Sequence, residues 1–227
     1  LLTMEIPLSD DTLALLTEQL TPEQIRWIML LNPSILLLVA TIIGTLLFRK
    51  SGLQVPVIGS LIKGERPLGL RDVVRYGLVL GLATGALLML MSKAFDRFIP
   101  QDFIALSESL QPSLAARLLY GGITEELLVR FGLMGFVVWL LKQFARQNAQ
   151  WVYFAGIVAA ALVFALAHLP VAFEAVAEPS AILIVYILIG NSIGGIVYGW
   201  LYWKKGLESA MLAHMATHLA MVLIGML

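Results

Sequence analysis

Long apolar runs separated by short polar or basic stretches set the pattern of this chain. Six of them, at roughly 27–48, 73–92, 122–141, 151–168, 181–203 and 207–226, approach or exceed the length of about 20 residues that a helix needs to cross a bilayer. The pattern predicts an all-α, polytopic transmembrane bundle of about six spans. Residues 4–20, "MEIPLSDDTLALLTEQL", are too acidic and too short to span. Their Ser/Asp start and helically spaced apolar positions predict a surface or interfacial helix instead. The Gly- and Pro-rich stretch "SGLQVPVIGSLIKGERPLGL" is expected to be a loop. "DFIALSESLQPSLAARLLY" is amphipathic, broken at Pro112, and is expected to run along the membrane surface into the third span. Without repeats or low-complexity tails, 1–227 reads as a single integral-membrane domain.

Composition agrees: 59% of the 227 residues are hydrophobic and 13% charged. Lys plus Arg and Asp plus Glu are 15 each, so no net field points to a nucleic-acid partner. With no Cys, disulfides, thiolate nucleophiles and thiolate metal ligands are excluded. The chain opens Leu1-Leu2-Thr3 without a basic stretch, short apolar core and cleavage site, so no targeting peptide is expected there. Where the charges fall sets the topology. Arg49, Lys50, Lys63, Arg66, Arg71 and Arg75, then Lys142 and Arg146, then Lys204 and Lys205 occupy alternate connections, which are expected to be cytoplasmic. The opposite set is acidic or balanced, which leaves both termini outside.

Apart from Arg75 and Glu208 at the very start of their runs, few ionisable residues fall inside the spans: Glu125, Glu126 and Arg130 in the third, His168 at the end of the fourth, His214 and His218 in the sixth. Buried charge in a membrane is costly unless it is paired or functional. His214 and His218 lie about 12 and 18 Å along their helix from Gly206 at 1.5 Å per residue, so all these groups share one depth. Glu126 and Arg130 are i,i+4 and suited to an ion pair, whereas Glu125 is rotated about 100° away and left free. His214 and His218 also sit i,i+4, as a two-His metal site or an electrophilic pair requires. Phe164, one turn before His168, can pack on its ring. Each group has a plainer reading: a Glu–Arg clamp, or a hydrogen-bonded core histidine. Three histidines and a spare glutamate at one depth are harder to explain that way. The cluster Tyr198, Trp200, Tyr202 and Trp203 ahead of Lys204 is expected to mark a membrane interface. Asn191 and the Gly194-Gly195 pair are expected to serve helix packing.

These residues carry a resemblance. "EELLVR" (Glu125, Glu126, Arg130), "FALAH" (Phe164, His168) and "HMATH" (His214, His218) resemble, in order and spacing, the EExxxR, FxxxH and HxxxN/D motifs of the CPBP intramembrane protease family. That family includes the type II CAAX prenyl endopeptidases and the bacterial Abi and bacteriocin-processing proteins. The likeness covers residues 115–222, which would be the catalytic core. Two departures stand out: His218 replaces the usual Asn or Asp, and "RFG" replaces "RG".

The resemblance implies an intramembrane endopeptidase with Glu125 as the general base, helped by His168. His214 and His218 would stabilise the oxyanion, while Glu126, Arg130 and Phe164 support the site. In these roles no cofactor is required, but His218 adds a metal ligand that leaves the metal question open. The same donors, Glu125, His168, His214 and His218, could instead hold a catalytic zinc. A non-catalytic membrane chaperone or immunity protein and an ion-coupled transporter are the rival classes, the latter opposed by the absence of paired half-repeats. The implied partners are the bilayer and a protein or peptide substrate, prenylated if it follows the CAAX branch. The implied location is a bacterial or archaeal inner membrane.

Overall fold

Thr21 opens the first long helix, α1 (Pro22–Ser51), with a capping box: its hydroxyl receives the Gln24 N–H while the Gln24 side chain receives that of Thr21. The helix stops at Gly52, whose left-handed φ of 75° favours glycine. The computed structural model describes residues 17, 19–67, 69–109, 112–145 and 149–226. Most of the surface helix expected over 4–20 lies outside the described residues, as does Arg146.

The stretch expected to be a loop after α1 contains a helix, α2 (Pro56–Ile62). Pro56 suits the first turn of a helix, where its missing N–H is not needed. The first-turn N–H groups of Val57 and Ile58 bond Glu208 Oε1 at 2.9 and 2.7 Å. That cap comes from a residue about 150 positions away, so local sequence could not show it. Then follow α3 (Leu70–Phe95), α4 (Gln101–Ser109), α5 (Leu114–Ala116), α6 (Arg117–Met134), α7 (Gly135–Lys142), α8 (Trp151–Leu166), α9 (Leu169–Ala175), α10 (Ala181–Lys205) and α11 (Leu207–Gly225). The described residues form no strand. α5 to α7 are one continuous rod whose middle, α6, is wound as a π-helix. Gly135 N–H, for example, bonds back to Arg130 O, five residues earlier.

All six expected stretches are helical. Among the described residues four helices are long and apolar enough alone to cross a membrane: α1, α3 with its following turn, α10 and α11. α8 has 16 residues, about 24 Å at 1.5 Å per residue, and the α5–α7 rod carries the Glu125, Glu126 and Arg130 charges. Leu31, Ile35, Leu38, Ile42 and Leu46 line an exposed face of α1, as lipid-facing residues do. This is an integral membrane protein.

In a bilayer, apolar burial between helices gains little over lipid, so close packing and hydrogen bonds must hold the bundle. α11 shows both. It lies against α3, α6 and α10. Gly77, Gly81 and Gly85 of α3, spaced i, i+4, i+8, let the α11 backbone approach so closely that a Cβ on Gly77 would stand 2.9 Å from Ser209 O and one on Gly85 2.6 Å from Thr217 O. Ser209 Oγ donates to Val73 O at 3.0 Å and Thr217 Oγ1 lies 3.0 Å from Gly81 O. At one end of the bundle Lys205 pairs with Asp72 at 3.0 Å, Leu207 N–H bonds Gln54 O, and Tyr153 OH bonds Ser51 O. These contacts join the basic connections on one side. The main core, with Met134, Val138, Val152, Leu201 and Tyr202, reaches toward that end.

Candidate active site

On α6, Glu125 and Glu126 diverge as adjacent helical residues must. Glu126 is fully buried, with Oε2 3.3 Å from Arg130 Nε, the expected i,i+4 pair. Its other oxygen, Oε1, lies 2.9 Å from His214 Nδ1. A carboxylate can only accept, so Nδ1 carries the proton of that bond and the Nε2 edge is turned toward Glu125. Glu125 Oε2 stands 3.8 Å from His214 Nε2, and Glu125 is partly exposed to a cavity.

The imidazole of His214 is held on every side. Tyr198 stacks on it with ring centroids 4.6 Å apart and His218 stacks at 4.9 Å. Phe164 meets it edge-on at 6.1 Å. Tyr198 is buried, so the aromatic cluster expected at a membrane interface divides. Tyr198 and Tyr202 turn into the bundle, while Trp203 stacks on Tyr153 at 4.9 Å with Lys204 Nζ 3.4 Å above its centre. The linear run could not show that one helix face of it meets a histidine.

His168 sits where α8 ends, and the helix restarts at Leu169-Pro170. Its Nδ1 lies 2.7 Å from Phe164 O, which can only accept, so Nδ1 is the donor and Nε2 presents a lone pair in the neutral ring. Phe164 packs edge-on against His168 at 4.6 Å, as its spacing predicted. The same Phe164 ring lies 4.8 Å from the Arg130 guanidinium carbon, and Tyr198 lies 5.4 Å from it. These two faces partly offset the desolvation of a buried cation whose Nη1 and Nη2 have no hydrogen-bond partner among the described residues.

Glu125, His168, His214 and His218 all line one cavity of about 370 Å³. Its remaining wall is mostly apolar, with Leu88, Met89 and Met91 of α3, Phe103 of α4, and Ile187 and Met221. Gly121 was missed by sequence reasoning. A Cβ there would stand 2.6 Å from His218 Nε2 and 3.5 Å from His214 Nε2, so α6 can lie under the histidine pair only without a side chain. Asn191 and Gly194, expected to serve packing, also line the cavity, whereas Gly195 packs against Ala161.

Among the described residues no three His, Asp or Glu side chains stand together in a way that could hold a metal ion. The two histidines on α11 stack face to face, with ring centroids 4.9 Å apart. The donor set does not fit a zinc centre, and no step below passes through one.

The site therefore combines a carboxylate and three imidazoles facing one cavity with a fully buried ion pair behind them, in a membrane-spanning bundle. That is the equipment of an intramembrane hydrolase. The model of the Rce1-like family, type II CAAX prenyl endopeptidases, matches residues 108–220, half of the chain, and the chain belongs to that family. It is a protease of the CAAX endopeptidase type whose substrate is a protein or peptide at the membrane. No curated protein and no solved structure matches it.

Proposed function

We propose that Glu125 is the general base of a metal-free peptide hydrolysis, with His168 as its helper. The observation that carries this is the position of Glu125: it faces the shared cavity, 3.8 Å from His214 Nε2, while its neighbour Glu126 is consumed by Arg130 and His214. A water held between Glu125 and His168 gives a proton to the carboxylate as its oxygen attacks the scissile carbonyl carbon. The oxyanion that forms accepts a hydrogen bond from His218 and from His214 Nε2, the latter donating only when that ring carries a second proton, its first being on Nδ1 against Glu126. When the C–N bond breaks, the proton on Glu125 passes to the leaving amine. Glu126, Arg130 and Phe164 keep the two reacting edges in place.

The apolar branch formed by α3, α4 and α10 supports a substrate with an apolar chain beside the cut bond, a prenyl group or a run of apolar side chains. The Lys/Arg bias supports an orientation with the basic connections on the cytoplasmic side, and the family resemblance supports an inner membrane of a bacterium or archaeon. Residues 115–222 serve as the catalytic core of a single domain. The test is cleavage of lipidated and unlipidated membrane peptides by purified protein and by Glu125→Gln. Equal turnover by both proteins would overturn the assignment.

A further inference from the structure

Hydrolysis in a helical bundle leaves a problem that the reacting groups do not solve. A peptide drawn out for cleavage carries backbone N–H groups that lipid cannot satisfy at membrane depth. The histidines serve the carbonyl side. The N–H side needs an acceptor.

Along α10, Ile187, Gly190, Asn191, Gly194 and Tyr198 recur at i, i+3, i+4, i+7 and i+11 and all line the catalytic cavity. Asn191 is flanked on this face by two residues without side chains. The trough so formed is bounded by Met91, whose Cε would stand 2.9 Å from a Cβ on Gly190, and by the Tyr198 ring, 3.2 Å from one on Gly194. Asn191 Nδ2 donates to Ile187 O at 2.9 Å. A backbone carbonyl only accepts, so this bond fixes which way the amide faces and leaves Oδ1 as an acceptor without a hydrogen bond from the described residues. Thr217, which also lines the cavity, has its single hydroxyl proton shared between Gly81 O and Ala213 O. α10 and α11 run antiparallel with Tyr198 stacked on His214, so Asn191, seven residues from Tyr198, lies about 10 Å beyond the His214 level at 1.5 Å per residue. That is about three residues of extended chain from the reacting carbon.

The geometry points to Asn191 as a substrate-positioning residue. Its Oδ1 accepts a backbone N–H of the extended substrate two to four residues from the scissile bond, with the chain lying over Gly190 and Gly194. This rests on the protease reading above. It predicts that Asn191→Leu lowers kcat/KM about tenfold, the usual cost of leaving one such group unpaired, mainly through KM.

The test is a double cycle on one cleavable membrane peptide. Wild type and Asn191→Leu are each assayed with the parent peptide and with peptides N-methylated at single amides two to four residues on either side of the cut. One methylated position should cost wild type about tenfold and cost the variant nothing further. Asn191→Ser, which keeps an acceptor, should recover part of the loss. If every methylation affects both proteins equally while wild type cleaves and Glu125→Gln does not, Asn191 holds no substrate amide and only this inference fails. If wild type cleaves none of the peptides and Glu125→Gln matches it, the protease reading falls and takes this one with it.

Discussion

His214 Nδ1 lies 2.9 Å from Glu126 Oε1, and the other oxygen of the same carboxylate lies 3.3 Å from Arg130 Nε, so one buried glutamate orients a cavity-lining imidazole and neutralises a buried cation. Glu126 and Arg130 are fully buried. Removing either partner leaves an uncompensated charge, which typically costs about 3–5 kcal/mol, whereas removing both can be nearly neutral. Arg130→Met and Glu126→Gln are each expected to lower thermal stability in detergent markedly. The double variant should recover much of it and still cleave poorly, because His214 has lost its anchor. Unchanged stability in Arg130→Met would mean that Arg130 serves the substrate.

Glu125 faces the cavity and its nearest ionisable neighbour, His214 Nε2, stands 3.8 Å away, beyond hydrogen-bond distance. Glu125→Gln should therefore leave the melting temperature close to wild type while turnover falls about 10²-fold or more, the usual contribution of a positioned base. Loss of stability equal to that of Glu126→Gln would contradict the division of labour between the two neighbours.

Much of this was legible in the residue pattern, and the rest failed for identifiable reasons. The six helices follow from apolar run length. The convergence of Glu125, His168, His214 and His218 on one cavity follows from helical rise and alternating topology. The Glu126–Arg130 pair and the Phe164–His168 contact follow from i,i+4 spacing. What escaped depends on partners remote in sequence. α2 owes its cap to Glu208, and Tyr198 left the interface because its face of α10 meets His214. Gly121 looks like any span glycine until α11 is laid on it. The π-winding of α6 has no signal in its composition.

His218 stands where the family pattern has Asn or Asp. Asn can keep a hydrogen-bonding role but is a poor zinc ligand, so His218→Asn separates the two chemistries. Turnover should stay within a few-fold of wild type and be indifferent to chelators. If His218 were a metal ligand, turnover and zinc content would fall together by a factor of about 10 or more, since even supporting changes around a metal cost that much. Both quantities are measured on the same purified samples.

The α3–α11 contact offers the sharpest separation of packing from chemistry. Gly81 touches no catalytic side chain, yet a Cβ on it would press on the Ala213 backbone and stand 2.7 Å from Ala216 Cβ, one position before His214 and two after it. Backbone cannot yield as a flexible side chain can, so Gly81→Ala must push α11 away from α3. The cost should be about 1–3 kcal/mol, typical of overpacking, and the shift carries His214 off Glu126 and His218 off Gly121. Turnover should then fall more steeply than stability, because a displacement of about 1 Å can cost about 100-fold in a positioned site. Gly59→Ala is the matched control: it adds the same methyl where nothing lies within 4 Å of the new Cβ. Melting temperature and kcat measured for both variants decide the matter. Equal effects from the two would show that the α3 glycines do not set the position of the histidine helix.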